Sequence, residues 1–251
     1  REKYVYYTEG IYVGYRYFET AAKENFIDYD KVVQYSFGYG LSYTTFSWSN
    51  PSWEISGKGG EIKVSLDVKN TGDTYSGKDV VQLYYHAPYD ASEGIEKSEV
   101  VLGGFVKTKL LAPGETERVT ITMNYDDMAS YDYKNEKAYV LSKGEYQLSL
   151  RSDSHTVKNE LVHDFKIDNK IVYNAANGAR SSDKVAATNQ YDDVSNGDGT
   201  FGTTAKLMTR SDFKNTVPTS RDQYANASAN QETIDRMSNS YAGSAIDIEN
   251  L

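Results

Sequence analysis

Ile62-Lys63-Val64-Ser65-Leu66-Asp67-Val68-Lys69-Asn70-Thr71-Gly72 is the stretch that decides the fold. Ile62, Val64, Leu66 and Val68 alternate with Lys63, Ser65, Asp67 and Lys69, the period of a strand with one buried face. Asn70-Thr71-Gly72 then reads as a turn, because Asn bonds its own backbone and Gly takes conformations that side chains resist. Downstream the same grammar repeats. Val80 to Tyr85 is apolar on both sides apart from Gln82, which suits a central strand. Val100 to Leu111 carries a strand that Gly103-Gly104 is expected to break, and Pro113-Gly114 makes the next turn. Val119, Ile121 and Met123 alternate, and Asp126 to Tyr131 reads as a short helical connection. Ala138 to Leu141 and Glu145 to Leu150 flank Lys143-Gly144, and Leu161, His163, Phe165 and Ile167 share one phase.

About seven short strands at this turn spacing predict a mainly β chain, with a β-sandwich over residues 44–168. There is no cysteine, so a disulfide-pinned immunoglobulin domain, a zinc–thiolate site and a thiol nucleophile are excluded. A fibronectin type III-like (immunoglobulin-like) sandwich is the expected form. The 251 residues suffice for a sizeable core. A net charge of -9 argues against a phosphate-backbone partner, which asks for a basic stripe. No apolar run has the roughly 18 residues that a spanning helix needs.

Upstream of the strands, residues 7–46 crowd aromatics around single glycines. One end reads Tyr7-Thr8-Glu9-Gly10-Ile11-Tyr12-Val13-Gly14-Tyr15-Arg16-Tyr17-Phe18-Glu19 and the other Tyr35-Ser36-Phe37-Gly38-Tyr39-Gly40-Leu41-Ser42-Tyr43-Thr44-Thr45-Phe46. Aromatics bring much apolar area with a polar tip that needs a partner, so the segment reads as a packed junction between two bodies. Residues 1–20 favour extended structure, with one helical turn at Thr20 to Glu24. The aromatic segment is too short to bury its own rings and is expected to pack on something further. Beyond Asp168 the composition turns to Asn, Ser, Asp, Thr and Ala. There Ile171-Val172-Tyr173 extends a strand, Lys206-Leu207-Met208 is an apolar anchor, and Gln231 to Tyr241 has weak helical character. Such a tail builds no core alone. The chain opens on Arg1 with no signal-sequence pattern, which suggests a piece of something longer.

The aromatic stretches also carry a family resemblance. Glu9-Gly10-Ile11-Tyr12-Val13-Gly14-Tyr15-Arg16-Tyr17-Phe18 resembles the EGIYVGYRYF signature of glycoside hydrolase family 3 almost letter for letter. Tyr35-Ser36-Phe37-Gly38-Tyr39-Gly40-Leu41-Ser42-Tyr43 resembles its YPFGYGLSYT signature, with Ser36 where proline is usual. Val68-Lys69-Asn70-Thr71-Gly72, Val80-Val81-Gln82-Leu83-Tyr84-Tyr85, Leu102-Gly103-Gly104-Phe105 and Leu111-Ala112-Pro113-Gly114-Glu115 follow in the family's order.

The resemblance implies part of a retaining enzyme that hydrolyses β-linked terminal sugars, most often β-glucosides. Retention needs two carboxyl groups about 5 Å apart across the scissile bond. In the family these are an aspartate on a barrel domain and a glutamate on an α/β-sandwich domain. Neither maps onto this sequence; the acid/base loop is expected upstream of Arg1. No catalytic, cofactor-binding or metal-ligating residue is therefore assigned, and the chain alone is expected to be inactive. Lys206-Leu207-Met208-Thr209-Arg210-Ser211-Asp212-Phe213, followed by Pro218, resembles the lead-in to the barrel in members with reversed domain order.

The implied division is 1–43 as the end of an α/β-sandwich domain, 44–168 as the fibronectin type III-like domain, and 169–251 as a linker toward a (β/α)8 barrel. The expected role is a non-catalytic scaffold that positions two catalytic domains. Its partners would be those α/β-sandwich and barrel domains, with sugar bound only in the whole enzyme. The alternative is a stand-alone fibronectin-like module that binds carbohydrate or protein. The sugar, and whether the protein is secreted, surface-attached or cytoplasmic, stay open.

Among single residues, Glu9 beside Arg16 is the most tempting carboxylate, and a structural ion pair or turn acceptor is the favoured reading. Tyr12, Tyr15, Tyr17, Tyr39 and Tyr43 stack on a sugar in one reading and pack domains in the favoured one. Asp192-Asp193 with Asn196-Gly197-Asp198-Gly199 lacks the spacing and closing glutamate of a calcium loop. His86, His155 and His163 are scattered, with His163 on an apolar phase as a core histidine. Asp126-Asp127 and Asp132 are expected to cap the connection before the next strand. No Ser-His-Asp arrangement follows from spacing.

Overall fold

The alternation read at Ile62 becomes the middle strand of a three-stranded antiparallel sheet. In the computed structural model, which describes residues 7–188, 200–201 and 205–218, two helices come first: Tyr15–Lys23 (α1) and Tyr29–Val32 (α2). Strands follow at Phe46–Ile55 (β1), Glu61–Asn70 (β2), Val80–His86 (β3), Val101–Lys107 (β4) and Thr116–Asn124 (β5). Then come Ser130–Asp132 (β6), Ala138–Leu141 (β7), Gly144–Arg151 (β8), Val157–Ile167 (β9) and Ile171–Tyr173 (β10). One sheet runs β1-β2-β5, the opposing sheet β4-β3-β8-β9, and a small sheet β10-β7-β6. All their pairings are antiparallel. The expected β-sandwich is present.

Ile62, Val64, Leu66 and Val68 are fully buried, and they join Val81, Leu83, Leu148 and Leu150 in one core. Each such side chain contributes about 1.5–3 kcal/mol by leaving water.

Several sequence expectations change in the structure. Gly103 and Gly104 do not break β4; they let it lie against β5. A Cβ on Gly103 would sit 2.4 Å from Met123 Sδ, and one on Gly104 2.8 Å from Ile121 Cγ2. Strand β1 carries no readable alternation, because a register shift falls between Ser49 and Ser52, where Asn50 has φ 52° and Pro51 follows. The connection after β5 is a 3-10 turn at Tyr125–Met128 leading into β6. Residues 15–23 form a helix in place of the expected extended chain. Burial of Glu19, Thr20 and Ala21 overrides the strand propensity of the aromatics around them.

Ile11–Thr188 forms one unit, and residues up to Gly10 with those from Asn189 form another. In the second unit Thr200–Phe201 pairs with Ala205–Lys206. The Met208 N–H donates to the Thr8 carbonyl at 2.7 Å, and Met208 and Phe213 are buried, as suits the apolar anchor read there. The weak helix at Gln231 to Tyr241 and the acidic stretch from Asp192 to Gly199 lie outside the described residues. No helix among the described residues is long and apolar enough to cross a membrane.

Candidate functional site

The segment from Ile11 to Tyr43 has two faces, and the inner one is fastened to the sandwich. Gly14 precedes α1 with φ 58°, a left-handed conformation natural to glycine. Tyr12 is buried and its hydroxyl donates to Glu96 Oε2 at 2.5 Å. Thr20 Oγ1 accepts from the Glu99 N–H at 2.9 Å, and the Tyr15 hydroxyl accepts from the Leu102 N–H at 3.0 Å. Glu96 and Glu99 sit on the loop between β3 and β4, with Leu102 at the start of β4, and that loop is itself held by Lys97. That ammonium, with a side chain only 2% exposed, donates to the Pro88 carbonyl, Glu93 and Ser142 Oγ. Burial lowers its pKa from the ordinary lysine value, against the pull of Glu93.

The second attachment centres on Glu19, 6% exposed at the middle of α1. The Tyr29 hydroxyl (2.8 Å) and Ser154 Oγ (2.7 Å) both donate to Glu19 Oε1. His155 Nδ1 lies 2.9 Å from Oε2, and its ring stacks on Tyr29 at 3.8 Å. Burial, with the neighbouring carboxylate adding to it, pushes the Tyr29 phenol up to about 12, so it remains a donor. Beneath, the Arg151 guanidinium donates to the Ser154 carbonyl and lies over the Tyr84 ring at 5.5 Å.

A third attachment explains Gln82, the polar residue within the apolar run from Val80 to Tyr85. Gln82 Nε2 donates to the Ser152 carbonyl at 2.6 Å and the Gly38 carbonyl at 3.2 Å, while its Oε1 accepts from the Tyr84 hydroxyl. A Cβ on Gly38 would lie 2.3 Å from Gln82 Oε1, so the approach asks for glycine. The Ser154 N–H also donates to the Phe37 carbonyl at 2.8 Å.

The outer face is apolar. Val32, Tyr35, Phe37 and Tyr39 are exposed, and Leu41 and Tyr43 reach 88% and 94%. Among them opens a groove of about 380 Å³, lined chiefly by Tyr15, Phe18, Tyr29, Val33, Tyr35 and Phe37. Phe37 stacks on Tyr15 at 4.6 Å. The hydroxyls of Tyr15 and Tyr29 are turned into the protein, to Leu102 and to Glu19 and Ser36. A sugar site needs convergent polar groups beside its aromatic platform. Two tyrosines of this groove instead offer ring surface alone, which fits the apolar side chains of a protein.

Ser154 and His155 make no nucleophilic dyad, because the Ser154 hydroxyl and the His155 ring both address the Glu19 carboxylate and not each other. Of the other residues singled out in the sequence, Glu9 is half-buried in the turn before Tyr12. Tyr12 and Tyr15 point inward, Tyr17 packs edge-on against Phe18, and Tyr39 and Tyr43 are exposed. His86 Nδ1 meets the Glu99 carbonyl at 2.7 Å, whereas His163 is only half-buried, stacked on Trp53 at 5.4 Å. No group of three or more metal-ligating side chains converges among the described residues. Asp132 caps its loop by accepting from the N–H groups of Lys134, Asn135 and Glu136. Asp126 does something different, accepting from Gly59 N, Ser181 N and the Tyr173 hydroxyl. The sequence reading passed over Glu19, Tyr29 and Ser154, since nothing in spacing brings residues 135 positions apart together. Gln82 did leave a signal, as the exception in the otherwise apolar run from Val80 to Tyr85.

Comparison with known proteins agrees with this geometry. Residues 79–154 match the fibronectin type III-like domain family. The chain is 46% identical over 167 residues to β-glucosidase A of Butyrivibrio fibrisolvens, covering 59% of this chain and 19% of that protein. It is 41% identical over 160 residues to a β-glucosidase of Ruminococcus albus, covering 61% and 15%. Among solved structures, the Paenibacillus barengoltzii β-glucosidase superposes with TM-score 0.56 at 36% identity, over 66% of this chain and 18% of that one. A Bifidobacterium adolescentis GH3 β-glucosidase gives TM-score 0.53 at 29% identity, over 64% and 21%. The chain thus spans about a fifth or less of the length of the relatives it matches. Sandwich, signatures and relatives agree that this chain belongs to glycoside hydrolase family 3 and matches the part of its β-glucosidases that contains the fibronectin type III-like domain.

Proposed function

We propose that the chain is the non-catalytic scaffold of a retaining family 3 glycosidase, most simply one acting on β-glucosides, and that it holds two catalytic domains at a fixed separation. The observation that carries this reading is the two-faced segment from Ile11 to Tyr43. Its inner face is locked to the sandwich through Glu96, Glu19 and Gln82, and its outer face presents an apolar groove. Such a face is suited to covering by a neighbouring domain of the same polypeptide. Catalysis between carboxylates on different domains loses rate steeply when either moves by about 1 Å, so a stiff spacer contributes without touching substrate. The remaining α/β-sandwich and barrel domains are the partners in this reading, and the β-linked sugar is bound only by the assembled enzyme.

The test is an assay of the isolated chain on an aryl β-glucoside, with calorimetric titration of a soluble β-glucan alongside. The scaffold reading expects no turnover above buffer and no saturable heat. Turnover would refute it. Saturable glucan binding that Tyr39→Ala and Tyr43→Ala abolish would instead establish a carbohydrate-binding module.

A further inference from the structure

The chain beyond β10 has the composition of a loose linker, yet residues 174–183 are bound back onto the sandwich. Asn174 turns the chain, its side chain accepting from the N–H groups of Ala176 and Asn177 and its carbonyl from Gly178 N, where φ is 89°. Ser181 N then donates to Asp126 Oδ2 at 2.9 Å, and Ser182 Oγ to Asp127 Oδ1 at 2.5 Å. Between them the Arg180 guanidinium sits 3.6 Å from the centroid of the Tyr139 ring, and Asp183 holds it through two hydrogen bonds of 2.7 and 3.0 Å. The side chains of that ion pair are only 15% and 27% exposed, so it is shielded better than an ordinary surface pair.

These contacts converge on one carboxylate. Asp126 accepts from Tyr173 at the end of β10, from Ser181 in the clamped segment, and from Gly59 in the β1–β2 turn. The segment is thereby fastened to the Tyr125–Met128 turn, whose Asp126 also holds the β1–β2 turn, and is stacked on β7. A flexible linker lets its ends wander as the square root of its length, whereas a segment tied at several points has one direction.

We propose that residues 174–183 are a clamp, with Arg180 as its central residue, that makes the sandwich release the chain toward residue 188 in one fixed direction. The inference builds on the scaffold reading, because it names the element by which a rigid spacer would transmit its orientation to whatever follows.

The sequence contains no cysteine, so paired labels can be placed cleanly. Spin labels at Lys143→Cys and Lys184→Cys, both exposed positions, report the direction of the released chain by electron–electron distance measurement. The expected result is one narrow distance distribution, broadened by Arg180→Ala. In parallel, hydrogen exchange over residues 176–183 should be slower than in a free peptide of that sequence by about tenfold or more. Arg180→Ala should remove that protection while amides in β2, β3 and β8 keep theirs. A broad distribution in the labelled chain that retains Arg180 overturns the clamp whatever the variant does to folding. So does exchange at the free-peptide rate. Neither readout involves catalysis, so turnover by the isolated chain would end the scaffold reading and leave the clamp standing.

Discussion

Asn70 and Glu19 are both buried polar centres, and they do opposite jobs. Asn70 is fully buried, and its amide donates to the Tyr75 and Leu111 carbonyls while its oxygen accepts from Gly72 N and Thr44 Oγ1. Its partners lie no more than 41 positions away, and the group is neutral. Glu19 gathers Tyr29, Ser154 and His155, the last 136 positions away, around a buried carboxylate. The first centre closes the sandwich on itself. The second attaches a helix that the sandwich does not need for its core. A neutral amide matched to two donors and two acceptors is a safe way to seal a fold, whereas a buried carboxylate depends on the donors gathered around it. Fold closure here is therefore insensitive to charge, and attachment of the helical segment is not.

That contrast can be broken by substitution. The largest effect is expected at Asn70→Ala, which strands the buried Leu111 carbonyl, frees the part-buried Tyr75 carbonyl and Gly72 N–H, and should cost about 3 kcal/mol. Chemical denaturation followed by tryptophan fluorescence measures it, and a loss below about 1 kcal/mol would mean water replaces the amide. Glu19→Gln keeps the shape but loses the charged acceptor, and about 2 kcal/mol is expected. The loss should be local, with faster hydrogen exchange in α1 and unchanged exchange in β2 and β5. Uniform acceleration would make Glu19 part of the sandwich fold.

Asp126 tests whether the clamp end behaves like either centre, through about 1 kcal/mol of hydrogen bonding. Burial by itself would raise its pKa, but the Tyr173 hydroxyl and the Gly59 and Ser181 N–H groups hold it below the ordinary aspartate value. A depressed folded value means the contribution is complete above the unfolded pKa of about 4 and is lost as pH falls through the folded one. Denaturation at pH 7 and pH 3 should show Asp126→Asn less stable than the native chain at pH 7, with the gap narrowing at pH 3. A gap that widens in acid would contradict the assignment. The smallest effect belongs to Tyr43→Ala, within about 0.5 kcal/mol because the ring is exposed. A larger loss in thermal midpoint would place Tyr43 in the fold rather than on the docking face.

Much of the sandwich was legible because period-2 alternation is a local record of a buried face, as at Ile62 to Val68 and Val119 to Met123. Gly103-Gly104 misread as a break because the close approach of Met123 and Ile121 comes from another strand, which no window of sequence contains. The helix at Tyr15–Lys23 misread for a related reason. Its aromatics favour strands locally, and only burial of Glu19, Thr20 and Ala21 reverses that preference. Of the candidate site, the aromatic segment itself was visible as a crowding of aromatics around single glycines. Its two-sidedness was not, since Tyr12 and Tyr43 look alike in sequence, yet Tyr12 is buried against Glu96 and Tyr43 is exposed.

The sequence by itself determined the sandwich, its main turns and the family signatures, because alternation, Asn-Thr-Gly and Pro-Gly turns and glycine-aromatic runs are properties of neighbouring residues. Tertiary structure alone decided which tyrosines face inward, that a buried glutamate in α1 is met by a serine and histidine from a distant turn, and that the segment after Tyr173 is clamped. Those are meetings between residues separated by up to 136 positions. Their free energy comes from hydrogen bonds made away from water, and that exists only once the sandwich has formed.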